Sequence, residues 1–528
     1  MPIIAQVGRS KFSARCLIAF IYLILSAGAV TIIYPFALML SSSVTTRLDY
    51  DRFELLPLSL KGHAARFLAF LADRYHREDW TLFQAAYRDR QVNFWDELAD
   101  DPSAFLKRQK IGSADTKTLE PYREFLKTIP GEDLGVYSSG GVQDRYDREV
   151  FLPLSAKLTP AEQTTELSKW LPRNSRLLQV GWTPPSTGGY KRIQEFFRSL
   201  PIEQRTVITG RALWIQWLQT QWSLASVNAF LGANYESLLD VPFLEPRLRE
   251  EFFAKGVPPR LQGQLPEFAY ARFLGSSEEW VDLPVAEFDY HLFRSNEGAN
   301  FAGILTKNYR TVFSYLFTKG RAATNTIILV FLSVLTALTI NPLAAYVLAR
   351  YKLSFTSSIL LFCLATSAFP SEVSMIPSFL LLRDLGFLNT FAALVLPGAA
   401  SGFSIFLLKG FFESLPRELY EAAEIDGAGE IRKFLMITVP LSAPILAVTA
   451  LGAFTAAYTG YMWAFVVCQK EEIWTLMVWL FQFQQSQAEW GNSSVGMAAL
   501  VVASVPTFLV FLFCQKIIMR GIIVPSMK

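Results

Sequence analysis

Glu421-Ala422-Ala423-Glu424-Ile425-Asp426-Gly427, followed by Ile437-Thr438-Val439-Pro440, is the stretch on which the reading of this chain turns. It is polar and lies between two long apolar runs, about 389–412 and about 438–467. Runs of that length read as membrane spans, because a helix needs roughly 20 mostly apolar residues to cross a hydrocarbon core about 30 Å thick. The polar stretch is then a turn-around between spans. Pro416 suits a first helical position, where its missing N–H is not needed. The helix expected over about 416–426 carries Leu419, Tyr420, Ala422, Ala423 and Ile425. Alanine favours the helix and lets another surface approach closely. Gly427 can take the positive φ that ends a helix and turns the chain. A second short helix is expected to lead through Ile437 to Pro440 and the next span.

Working outward, four further stretches are long and apolar enough to span: about 16–42, 323–349, 355–382 and 495–519, giving six in all. The run from Cys16 to Leu40 exceeds the roughly 7–15 residues of a signal-peptide core, so an uncleaved anchor is expected. Basic residues set the direction. Arg9, Lys11 and Arg15 precede the first span, Arg350 and Lys352 follow the second, and Lys409, Arg417, Arg432 and Lys433 flank the polar hairpin. Lys516, Arg520 and Lys528 close the chain. By the positive-inside rule these segments, both termini and the hairpin are cytoplasmic. Residues about 45–320 are then outside, since long domains translocate largely regardless of charge.

Composition agrees with a mixed chain. Of 528 residues, 51% are hydrophobic and 18% charged, too apolar for an ordinary soluble protein and too charged to lie wholly in a membrane. A net charge of +3 leaves no nucleic-acid footprint. Cys16, Cys363, Cys468 and Cys514 all lie in or at the ends of apolar runs, so the soluble part has no disulfide framework. His63, His76 and His291 lack metal-ligand spacing, and no metal site is expected. No G-x-x-x-x-G-K-[ST] phosphate loop occurs, and no cofactor is expected in this chain.

Helical periodicity dominates the outside segment. Residues 64–100 carry aromatic and apolar anchors at Phe67, Phe70, Leu71, Tyr75, Trp80 and Phe83, and residues 211–239 at Trp214, Trp217, Leu218, Trp222 and Phe230. Leu177-Leu178-Gln179-Val180 and Val207-Ile208-Thr209 are short β-like runs, too few for a sheet. The expected organisation is 1–44 (first span), 45–320 (a mostly helical soluble domain) and 321–528 (five spans with the hairpin at about 413–440).

The spacing E-A-A-x3-G-x9-I-x-[L/V]-P over Glu421 to Pro440 resembles the EAA loop of the membrane subunits of binding-protein-dependent ABC importers. Residues from about Asn308 to Arg520 resemble the smaller permease subunit of the carbohydrate-type importers. Ala344-Ala345-Tyr346-Val347-Leu348-Ala349-Arg350 matches the end of that family's second span, and Asp384 to Thr390 its outer turn. The resemblance implies a mainly α, polytopic protein with six transmembrane helices of the type I importer permease fold, carrying a large extracytoplasmic insertion between helices 1 and 2. It implies that Glu421, Ala422, Ala423, Asp426, Gly427, Ile437 and Pro440 couple the chain to a separate ATPase dimer. It implies a second permease subunit, a solute-binding protein, and a place in the lipid of the bacterial inner membrane. The loop after the first span is normally short in that family, and the tail Gly521 to Pro525 departs from its pattern.

For the solute path, Asn341 and Glu372 are the candidates, as polar groups within apolar spans. Glu372 reads as a solute contact, a partner for a sister subunit or an interface residue. Residues Trp474 to Asn492 mix Trp and Gln, which suits either a sugar or an interfacial helix. The rival reading of the whole chain is a membrane-anchored extracytoplasmic carbohydrate-active enzyme or sensor.

Overall fold

An unbroken apolar run gives an unbroken helix from Phe12 to Ser43. Its apolar window is exposed on every face, with Phe20, Leu23, Ile32 and Ile33 pointing outward. A helix that is apolar all round has no stripe to bury in a soluble core, and its solvent is lipid. The computed structural model describes residues 12–46, 48–49, 52, 54–75, 80–89, 95–109, 111, 116–129, 136–137, 199, 201, 206–258, 261–263, 265–319, 321–351, 353–367, 370–489 and 493–522. The chain divides into two compact units, Met1–Thr318 with Gly491–Ala498, and Lys319–Trp490 with Ala499–Lys528.

In the first unit, the chain leaves the first helix and returns along Glu297–Lys319. The two ends are fastened together. Asn308 Nδ2 donates to the carbonyl oxygens of Ser43 (2.9 Å) and Thr45 (3.2 Å), and the Ser43 and Tyr309 hydroxyls lie 2.6 Å apart. Thr45 Oγ1 lies 3.1 Å from Ser494 Oγ. The main core is built around helices His63–Arg74, Trp80–Tyr87 and Gly210–Gln221. Phe67, Leu71 and Tyr75 recur every four residues and are buried with Phe83, Trp214, Leu218 and Phe252. Burial of these side chains stabilises the unit by roughly 1.5–3 kcal/mol for each aliphatic or Phe residue. A smaller cluster joins Tyr122, Phe125, Tyr270 and Phe288.

Several charged groups go inside, among them Arg74, Asp289 and Glu267, and these three are paired. Arg74 Nε lies 2.6 Å from Asp289 Oδ1, while the Tyr75 and Tyr87 hydroxyls donate to Asp289 Oδ2 at 2.5 and 3.2 Å. Glu267 accepts from the first two amides of helix Gly210–Gln221, at 2.8 Å from Gly210 N and 3.0 Å from Arg211 N. Sequence reading missed these pairs because their members lie far apart along the chain. It also placed Phe230 as an anchor. That ring is 49% exposed and, among the described aromatics, rests on Trp222, because its helix Leu224–Leu231 buries only Val227. The run Val207 to Thr209 contributes one pairing residue, Val207, opposite Val136. Thr209 caps the next helix instead, accepting from Ala212 N at 3.0 Å. The run 177–180 lies outside the described residues.

In the second unit, helix Ala322–Arg350 packs against both Gly402–Glu413 and Ala443–Thr459. Gly402 permits a close crossing, since a Cβ there would meet the Cys363 carbonyl oxygen at 2.2 Å. Not every apolar stretch is one straight helix. Among the described residues three helices are long and apolar enough to cross alone: Cys16–Ser43, Ala322–Arg350 and Ser493–Gln515. The stretch 389–412 is a pair, Phe391–Gly398 and Gly402–Glu413, bent by 50°. Helix Ala443–Thr459 meets Glu430–Leu441 at 84°, so the expected fifth span begins at a sharp corner. The stretch 355–382 is two helices, Thr356–Ser367 and Ser371–Asp384, with Pro370 as the cap of the second. A proline lacks the N–H that would bond back into the preceding turn, and it disfavours helix in the residue before it.

Candidate coupling site

The hairpin forms two arms. The first is helix Arg417–Ile425 and the second runs through Glu430–Lys433, the π-turn Phe434–Thr438 and Val439–Leu441. Pro416 sits at the cap, with φ −55° and ψ 129°, one position before the first helical residue expected of it. Its ring-fixed φ fits both positions, and the extended ψ decides for the cap. At the other end Gly427 has φ +74°. Gly427 N donates to Glu424 O (3.0 Å) and Ala428 N to Ala423 O (2.9 Å). These two bonds are the Schellman arrangement, which satisfies the last carbonyls of the helix and needs a left-handed residue.

The two faces of the hairpin differ. Tyr420, Phe434 and Thr438 are buried, and the Tyr420 and Thr438 hydroxyls lie 2.8 Å apart, joining the arms. The opposite face carries large apolar side chains in the open: Ile425 (87% exposed), Ile431 (76%), Met436 (70%) and Leu435 (55%). Glu421, Ala422, Asp426, Gly427 and Pro440 are exposed as well, while Ala423 and Ile437 are half-buried. The seven residues singled out from the sequence thus lie on one hairpin, and most of them face outward.

Side chains from elsewhere hold the buried face. The Arg350 guanidinium lies 3.5 Å from the Tyr420 ring centroid, and Arg350 Nη2 donates to Phe412 O at 2.9 Å. Tyr346 donates its hydroxyl to Glu430 Oε2 at 2.9 Å and sets its ring edge-on to Phe434. Lys433 Nζ lies 2.6 Å from Glu430 Oε1 and 3.4 Å from Glu424 Oε1. The Lys433 hydrogen bond, helped by the Tyr346 hydroxyl, holds the Glu430 carboxyl below the usual carboxylate range. Tyr346 and Glu430 carry no site role in the sequence reading, and Arg350 enters it only as a basic residue that sets orientation. The available signal was the spacing of Tyr346 and Arg350, which places both on one helix face.

A separate cavity of about 400 Å³ lies among the helices of this unit, lined by Ser333, Thr336, Met375, Ser378, Met462 and Trp463 among others. Trp463 Nε1 is fixed on Ala393 O at 3.1 Å. Asn341 is not among the lining residues. It is buried, with Oδ1 accepting from Ser401 N at 2.8 Å and Nδ2 donating to Ala337 O at 3.2 Å. The amide therefore braces the break before helix Gly402–Glu413. Glu372 falls in helix Ser371–Asp384, and its side chain is outside the described ones. Residues Leu476–Glu489 form a helix with Trp479 stacked on Phe483, both buried, and residues 490–492 lie outside the described residues.

Apolar helices joined by a braced polar hairpin with an apolar outward face define an integral membrane protein. Residues 340–524 match the family model for the binding-protein-dependent transport system inner membrane component. The chain is 36% identical over 209 residues to the trehalose/maltose transport system permease protein MalG of Thermococcus litoralis, covering 39% of this chain and 74% of that one. It is 34% identical over 209 residues to the probable ABC transporter permease protein YurM of Bacillus subtilis, covering 39% and 68%. To the polygalacturonan/rhamnogalacturonan transport system permease protein YtcP of the same species it is 31% identical over 232 residues, covering 41% and 80%. The chain belongs to the family of inner membrane permease components of binding-protein-dependent transport systems.

Proposed function

We propose that this chain is the membrane-spanning subunit of an importer for a sugar or oligosaccharide, worked by alternating access. A separate ATPase dimer binds the hairpin at about 413–440 from the cytoplasmic side, where both termini also lie. A second permease subunit completes the pore, and a solute-binding protein delivers substrate outside. The domain over about 45–320 is extracytoplasmic and supplies a docking surface for that delivery. The observation that carries this reading is the two-faced hairpin: an apolar outward face in the open, on a loop whose inward face is bonded to the spans. Isolated exposed apolar residues are common, whereas a contiguous patch on a polar loop marks an interaction site. The carbohydrate class rests on the names of the relatives. It is supported by a cavity whose lining offers hydroxyls, sulfurs and one indole face, a mixture suited to an uncharged, partly apolar solute.

Gly427→Val tests the seat. A β-branched residue at φ +74° is strained by about 1–2 kcal/mol or more, and relief of that strain reshapes the tip. The subunit should still insert into the membrane, while co-purification of its ATPase and solute uptake are lost. Undiminished co-purification and uptake would count against the hairpin as the seat.

A further inference from the structure

We propose that Tyr346 and Arg350 are positioning residues that fasten the two arms of the hairpin to one spanning helix, so that force applied at the hairpin tip turns that helix. The inference rests on the reading of the hairpin as the ATPase seat. Tyr346 and Arg350 stand four residues apart near the end of helix Ala322–Arg350, on one face. Each takes a different arm. Arg350 lies against the ring of Tyr420 on the first arm, and Tyr346 bonds to Glu430 on the second. Arg350 also donates to Phe412 O in the last turn of helix Gly402–Glu413, where carbonyls have no partner within the helix and a cation is favoured.

Without these ties the hairpin would meet that helix through one hydrogen bond, from Tyr351 at the helix cap to Glu430, and through apolar packing of Ala345 and Leu348 in one cluster with Phe434. Such packing is non-directional and tolerates sliding. A guanidinium held flat on a ring, with one N–H aimed at a carbonyl, fixes an angle. Lysine has neither the planar fork nor the stacking surface, so it is a poor substitute. The Tyr420–Thr438 contact closes the hairpin on itself and the Lys433–Glu430 pair stiffens the second arm, but neither reaches the spanning helix.

The test uses the complete transporter, with its ATPase and sister subunit, in proteoliposomes. A cysteine replaces Ser333, which lines the cavity on the same helix, in a background where Cys16, Cys363, Cys468 and Cys514 are substituted. The readout is the change that ATP causes in the rate of labelling by a membrane-impermeant maleimide. Arg350→Ala should cut that response about ten-fold, with ATPase co-purification and ATP hydrolysis kept within about two-fold. Arg350→Lys should recover only part of it. Tyr346→Phe removes one hydroxyl, keeps the ring on Phe434, and should cut the response about three-fold. If Arg350→Ala fails to assemble, Tyr346→Phe decides alone. A full ATP response in these variants overturns the positioning role and leaves the seat intact. No ATP response in the unsubstituted complex overturns the seat, and the inference falls with it.

Discussion

The two units of this chain use polar groups in opposite ways. In the first, charges go inside and are consumed there: Asp289 by Arg74 and two tyrosines, Glu267 by the amides of a helix start. In the second, the polar contacts that matter lie at the hairpin and tie one element to another, while apolar side chains stand in the open along spans and hairpin tip alike. The soluble part of the first unit thus spends these charges on its own groups. The second leaves apolar side chains uncovered along its spans and at the hairpin tip, where the proposed ATPase would bind. That contrast can be broken by showing that a buried charge of the first unit is dispensable, or that an exposed apolar residue of the second holds the subunit together.

The largest effect is expected at Asp289. Removal of the carboxylate leaves Arg74 buried without its counter-ion and orphans two tyrosine hydroxyls, a change that typically costs about 3–5 kcal/mol. Urea unfolding of the full-length protein in detergent, followed by tryptophan fluorescence, should show Asp289→Ala unfolding at much lower denaturant. A variant as stable as the parent would mean that the pair contributes nothing and that the first unit is held by its apolar core alone.

Ile431→Glu is the matching change in the second unit. At 76% exposure the side chain has little to lose in the isolated subunit, so stability should move by no more than about 0.5 kcal/mol. Affinity for the ATPase should fall by about 2 kcal/mol, as for loss of an apolar anchor at an interface. A drop in subunit stability with unchanged ATPase affinity would reverse the contrast at this position.

How much of this could be read from the chain follows from the range of each interaction. Span length and the hairpin's turn are local, and Gly427 takes the positive φ that its position between two short helices requires. The break at Pro370 is equally local, since a proline inside an apolar run is itself the signal of an interrupted helix. Tyr346 and Glu430 are 84 residues apart, and Arg350 and Phe412 are 62 apart, so no periodicity links them. Asn341 was noticed because it is polar within a span. Its burial with both amide atoms bonded is a property of the break beside it, which only the packed helices reveal. The family resemblance located the hairpin, and the geometry added what holds it.

The smallest and sharpest test lies at Glu267. Burial pushes this carboxyl above its usual range, against the pull of the Arg211 and Gly210 amides that it accepts from. A carboxyl with a folded value above the unfolded value of about 4.3 contributes stability that is fully present below that pH and is lost as pH rises through the folded value. Glu267→Gln keeps the shape and one acceptor oxygen and cannot ionise. The stability of the parent minus that of Glu267→Gln should therefore fall as pH rises from about 4 to about 8, measured by urea unfolding at each pH. Asp282 supplies the control of opposite sign. Burial would raise its carboxyl too, but Arg211 and Arg88 outweigh burial and hold it below the usual range, so its contribution is present above about pH 4 and fades in acid. If the Glu267 difference instead grows with pH, the helix amides outweigh burial, and the first unit keeps an ionised carboxylate inside in the same manner as it keeps Asp282 near its surface.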